Sequence, residues 1–111
     1  MKNRGFDTIA VHGGYDPKEN NFSMTVPIYE TNAYDFGTTE RAAALFGLKE
    51  DGDIYSRISN PTVRVFEDRM ALLEGGTGAV AFSSGHNAIF SLVANLCESG
   101  DEIVSARKIY G

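Results

Sequence analysis

A single cysteine, Cys97, leaves this chain of 111 residues without an internal disulfide and points to a reducing, cytoplasmic setting. Positive charge is also scarce: 10 Lys and Arg stand against 15 Asp and Glu, a formal net charge of −5. That deficit speaks against nucleic acid as the main partner, because neutralising phosphates needs clustered Lys and Arg. No apolar run approaches the ~18–20 residues of a membrane span. Met1–Lys2–Asn3–Arg4–Gly5 leads into Asp7 and Thr8, not into the apolar stretch of a signal peptide. No Walker-type Gly–Lys–Ser/Thr occurs, and no metal site is expected. What is present is an ordinary globular balance, 42% apolar and 23% charged, at a length that suits one small domain.

The chain divides near Ser59. Residues 1–59 are punctuated by Gly13–Gly14, Asp16–Pro17, Asn20–Asn21 and Asp51–Gly52, and carry many aromatics on irregular backbone. Val26–Pro27–Ile28–Tyr29 reads as extended, since Pro27 turns its predecessor away from helix. One helix is predicted from Thr39 to about Phe46, capped by Thr38 or Thr39 and favoured by Ala42–Ala43–Ala44–Leu45. This half reads as an arm packed on something outside itself. Residues 60–111 are regular. Asn60 caps a helix with Pro61 at its first position, Val63, Phe66, Met70 and Leu73 form one stripe, and Gly75–Gly76 ends it. Arg64 is expected to face Asp68 across one turn. Ala79–Val80–Ala81–Phe82 then reads as a buried parallel strand, followed by a helix bearing Ile89, Leu92, Val93, Leu96 and Cys97 that Gly100 stops. Glu102–Ala106 reads as a second strand. Helix, strand, helix, strand is the order of an α/β fold with a parallel sheet, and two strands read as the front portion of a larger enzyme.

Three places carry candidate chemistry. Ser83–Ser84–Gly85 joins the first expected strand to a helix, where unpaired N–H groups and the helix dipole favour an anion such as phosphate. By its residues alone the turn reads more readily as a plain serine cap. Gly75–Gly76–Thr77–Gly78 is no dinucleotide fingerprint, because it precedes the expected strand. Tyr110 leaves the carboxyl end of the second expected strand, on the edge where ligands of parallel sheets bind. In Tyr55–Ser56–Arg57, Arg57 offers a planar fork of donors and Tyr55 a phenol. If the segment is extended, residues two apart point the same way and can grip one anion together. An exposed arginine beside a packing tyrosine is the other reading.

Tyr–Ser–Arg–x–x–Asn–Pro–Thr from Tyr55, then Leu73–Glu74–Gly75–Gly76, Ser83–Ser84–Gly85 and Tyr110–Gly111, resembles the pyridoxal-phosphate enzymes of cysteine and methionine metabolism. The resemblance runs from about Phe6 to the last residue. His12–Gly13–Gly14, Pro27–Ile28–Tyr29–Glu30–Thr31, Leu45–Phe46–Gly47–Leu48, Gly52–Asp53–Ile54–Tyr55 and Glu67–Asp68–Arg69 look most like the O-acetylhomoserine sulfhydrylase branch. Methionine γ-lyases, cystathionine γ-lyases and cystathionine γ-synthases share most of the frame. The resemblance implies the beginning of the large parallel-sheet domain of a fold-type I pyridoxal-phosphate transferase, with residues 1–59 as an arm contributing to a neighbouring active site. It implies pyridoxal 5'-phosphate as cofactor, an amino-acid substrate and sulfide as small-molecule partners, and a homotetramer built as a dimer of dimers. By the same resemblance Tyr55 and Arg57 reach a neighbour's cofactor phosphate, and Ser84, Gly85 and His86 hold phosphate within the subunit. Tyr110 stacks on the cofactor ring and handles protons, and Asn60 lies near that site. The family's Schiff-base lysine, its aspartate and its substrate-binding arginine come later in the family's chain, and Lys2, Lys18, Lys49 and Lys108 match none of their contexts. The isolated chain is therefore expected to be inactive, and a non-catalytic phosphate-binding or association module is the other reading of 111 residues.

Overall fold

A computed structural model describes residues 4–110, which form two compact units divided between Val80 and Ala81. In the first unit, α1 spans Phe6–His12, α2 Thr39–Phe46 and α3 Pro61–Glu74, with a 3₁₀ turn at Pro17–Asn20. In the second, α4 spans Gly85–Leu96. The caps are those expected: the Thr38 hydroxyl accepts from the Arg41 amide at 3.1 Å, and the Asn60 carboxamide oxygen from the Thr62 amide at 2.9 Å. Gly75 closes α3 in the left-handed conformation, φ 67°. Helix α4, however, ends before Gly100. Cys97 is already extended, and the Asp101 carboxylate accepts the Glu98 amide at 2.8 Å, drawing the chain into a turn.

Helix α1 has no signature in the sequence. Its N-cap, Gly5, supplies no side-chain acceptor, and β-branched Thr8, Ile9 and Val11 are weak helix formers. It forms because it packs on α3, burying Ile9. The expected strands at 79–82 and 102–106 are absent from the described residues, whose only bridge is a single antiparallel one between Ala33 and Tyr55. A strand is defined by ladder pairing, and neither segment has a ladder here. Arg64 does not serve Asp68; its guanidinium lies 2.7 Å from the Asp53 carboxylate and ties the run before Tyr55 to α3.

The core is small. Among the described residues, Ile9 and Leu45 are the buried apolar side chains. Leu45 is covered by the backbone at Gly52, where a Cβ would come within 2.8 Å of it, and Phe36 meets Phe46 edge-on at 5.7 Å. In the second unit, α4 leaves Ile89, Phe90, Leu92 and Leu96 at least 60% exposed.

The Gly13–Gly14 pair explains how α1 sits so close to α3. Gly14 has φ 70°, and a Cβ there would lie 2.7 Å from the Val65 carbonyl oxygen and 2.9 Å from the Arg69 amide. The Arg69 guanidinium in turn donates to the Gly13 carbonyl at 2.9 Å. Gly14→Ala in the complete protein is expected to cost about 2–3 kcal/mol in denaturant unfolding, through strain and steric overlap together. Gly78→Ala, where a Cβ meets nothing within 4 Å, is expected to stay within about 1 kcal/mol of the parent.

Candidate functional site

Tyr55, Arg57 and Asn60 belong to the first unit. Two bonds flank the Ala33–Tyr55 bridge: the Tyr34 amide donates to the Ile54 carbonyl at 3.2 Å, and the Ser56 amide to the Asn32 carbonyl at 2.9 Å. Directly after it the chain folds over. The amides of Ile58 and Ser59 both donate to the Tyr55 carbonyl, at 2.8 and 3.0 Å. An extended grip by residues two apart is therefore not what forms; a turn brings the side chains together instead. The Arg57 guanidinium carbon stands 4.8 Å from the centre of the Tyr55 ring, a cation–π contact. Arg57 is exposed and makes no ion pair or hydrogen bond among the described residues, so its fork of donors is free for an anion.

Asn60 holds this turn. Its side chain is buried, a position that a carboxamide tolerates only when its donors and acceptor are all used. The Nδ2 group donates to the Tyr29 carbonyl at 2.9 Å and to the Ser56 hydroxyl at 3.0 Å, while Oδ1 caps α3. The Ser56 hydroxyl donates onward to the Thr31 carbonyl. Thr62 locks the same run from the other side, donating to the Pro27 carbonyl at 2.8 Å and accepting from the Tyr29 amide at 2.9 Å. Reading the sequence for caps identifies Asn60 as the start of a helix but misses this second role, as well as Ser56 and Thr62. The partners at 27–31 lie far away in sequence, and no local pattern announces them.

Ser84, Gly85, His86 and Tyr110 belong to the second unit. The Ser84 hydroxyl accepts from the Asn87 amide at 3.1 Å and caps α4, its own proton remaining available to an acceptor. The Gly85 and His86 amides lie in the first turn, where no intrahelical acceptor reaches them. A Cβ at Gly85 would meet nothing within 4 Å, so this face of the turn is open to a ligand. The His86 and Tyr110 rings lie 5.4 Å apart at 53°, and Tyr110 is otherwise exposed. A concavity of about 890 Å³ in the first unit, lined by Ile9, Gly14, Tyr15, Asp68, Leu72 and Thr77, includes none of the expected site residues.

Within each unit, free donors stand beside an aromatic ring, a pairing that suits a phosphorylated ligand. The profile of the Cys/Met metabolism PLP-dependent enzymes matches residues 7–111, and the chain belongs to that family. Its members depend on pyridoxal 5'-phosphate. Among relatives, O-acetyl-L-homoserine sulfhydrylase 1 of Thermus thermophilus is 52% identical over 106 residues, 96% of this chain and 25% of its own length. An L-methionine gamma-lyase of Pseudomonas deceptionensis is 47% identical over 99% of this chain and 28% of its own length. A crystal structure of an O-acetylhomoserine (thiol)-lyase from Campylobacter jejuni, carrying N'-pyridoxyl-lysine-5'-monophosphate, superposes with a TM-score of 0.91 at 44% identity. That match covers 98% of this chain and 27% of the other, so the chain has the fold of an N-terminal piece of such an enzyme. It spans about a quarter of the length of the curated relatives it matches.

Proposed function

We propose that the complete protein is an O-acetylhomoserine sulfhydrylase, which replaces the acetate of O-acetyl-L-homoserine with sulfide to give homocysteine and acetate. The observation that carries this reading is the 52% identity, across 96% of the chain, to a relative of that name. The free donors described above fit the phosphate of the cofactor. Arg57 and Tyr55 hold the phosphate in a neighbouring subunit, charge-assisted bonds from the guanidinium giving the stronger part. The Ser84 hydroxyl and the Gly85 and His86 amides hold it within the subunit, helped by the positive end of α4. The working form is then a homo-oligomer, a tetramer made as a dimer of dimers, in the cytoplasm. When bound, pyridoxal 5'-phosphate supplies the electron sink for negative charge on the substrate carbons. Tyr110 would supply an aromatic ring beside the bound cofactor and a hydroxyl able to carry a proton as acetate leaves. The cofactor-binding lysine, the aspartate at the pyridine nitrogen and the arginine for the substrate carboxylate come from the rest of the protein.

The complete protein is expected to form homocysteine from O-acetyl-L-homoserine only when sulfide is present, and the 111-residue chain alone to form none. Product analysis by chromatography checks both. Breakdown of methionine without any sulfide-dependent product would assign the protein to the γ-lyases instead.

Arg57→Ala in the complete protein is expected to weaken cofactor retention about 10- to 100-fold, the worth of a buried hydrogen bond to a charged group. Mixing it with a variant that lacks the cofactor-binding lysine should restore part of the activity, since hybrid oligomers regain some intact sites. No recovery in oligomers proven to have exchanged subunits would refute the cross-subunit role.

Tyr110→Phe keeps the ring and removes the proton. Turnover is expected to fall ~10²–10⁴-fold, the range for one acid–base group, with cofactor content unchanged. Turnover near the parent rate would make Tyr110 a platform only.

A further inference from the structure

We infer that Asn60 is the positioning residue of the anion grip, presetting the Tyr55–Arg57 turn for a phosphate that Asn60 itself never touches. This rests on the reading of Arg57 given above and extends it to a group behind the site. Arg57 is exposed on a three-residue turn, and an arginine on a loose turn would spend much of its binding strength on being ordered. Here the turn is tied from below. One buried carboxamide donates to Ser56, the neighbour of Arg57, and to Tyr29 on the adjoining run, while fixing its own oxygen at the start of α3. Ser56 passes the constraint to Thr31 through its hydroxyl and to Asn32 through its amide. The Tyr55 carbonyl is engaged by two amides and its ring by the Arg57 guanidinium. Ser56, directly before Arg57, is thus held by contacts that run through Asn60, while the Arg57 donors stay uncommitted. That is preorganisation of a first-contact residue by a supporting one.

The test separates support of the grip from support of the fold. In the complete protein stripped of cofactor, Asn60→Ser keeps an oxygen for the Thr62 amide but falls short of Tyr29 and Ser56. Titration with pyridoxal 5'-phosphate is expected to show affinity about 10-fold weaker, the effect of roughly one lost net hydrogen-bonded constraint. Affinity for pyridoxal, which lacks the phosphate, should change less than about twofold, because Arg57 has nothing to hold there. Arg57→Ala combined with Asn60→Ser should bind pyridoxal 5'-phosphate no more weakly than Arg57→Ala alone, since both changes disable one device. Equal losses for both ligands, or factors that multiply, would overturn the inference while leaving Arg57 as a phosphate ligand. Unchanged affinity in Arg57→Ala would overturn the reading of Arg57 and this inference together. Should Asn60→Ser fold too poorly to titrate, Ser56→Ala removes one acceptor and spares the helix cap. It should then weaken pyridoxal 5'-phosphate about threefold and pyridoxal not at all, and no difference between the two ligands would overturn the inference.

Discussion

The first turn of α3 is where the first unit is tied together. Asn60 caps it, the Thr62 hydroxyl accepts from the Tyr29 amide and donates to the Pro27 carbonyl, and Arg64 reaches from it to Asp53. Farther along the same helix, Val65 and Arg69 receive the glycine turn that ends α1. Among the described residues Ile9 and Leu45 are the buried apolar side chains, and these polar ties add specificity to that small core. The bonds of the buried Asn60 carboxamide suit that task best. Each adds only about 0.5–1.5 kcal/mol net, yet leaving one partner unsatisfied costs about 1–3 kcal/mol, so alternative packings are penalised.

The two candidate anion grips use different physics. At Arg57 a full positive charge is held by an aromatic face, and its geometry depends on the turn beneath it. At the start of α4 there is no charged side chain, only backbone amides, a serine hydroxyl and the partial charge of the helix end. The first is sensitive to whatever orders the turn, the second to whatever fills the space above Gly85.

The apolar side chains on α4 carry a further physical demand. Burying such a side chain fully contributes roughly 1.5–3 kcal/mol, and Ile89, Phe90, Leu92 and Leu96 are each mostly exposed among the described residues. In the first unit Phe6, Phe22, Phe46 and Leu48 are likewise exposed. The chain spans about a quarter of the length of the curated relatives it matches.

Local physics was readable in the residues themselves. Thr38, Asn60 and Ser84 announce helix starts because a short side-chain oxygen satisfies amides two or three residues on, and Gly75 announces an end because it accepts positive φ. The order of the Tyr–Ser–Arg, Ser–Ser–Gly and Tyr–Gly motifs likewise identified the family and its cofactor without coordinates. Tertiary structure alone decided the rest. Helix α1 exists because α3 lies against it, and the Tyr55–Arg57 pair meets through a turn, not along a strand. Arg64 chose Asp53 over Asp68, and Asn60 proved to be a clamp as well as a cap. Each of these depends on partners far away in the chain, whose proximity is set by packing and leaves no periodicity to read. The segments expected as strands, 79–82 and 102–106, have no partner segment among the described residues, and a strand needs a pair.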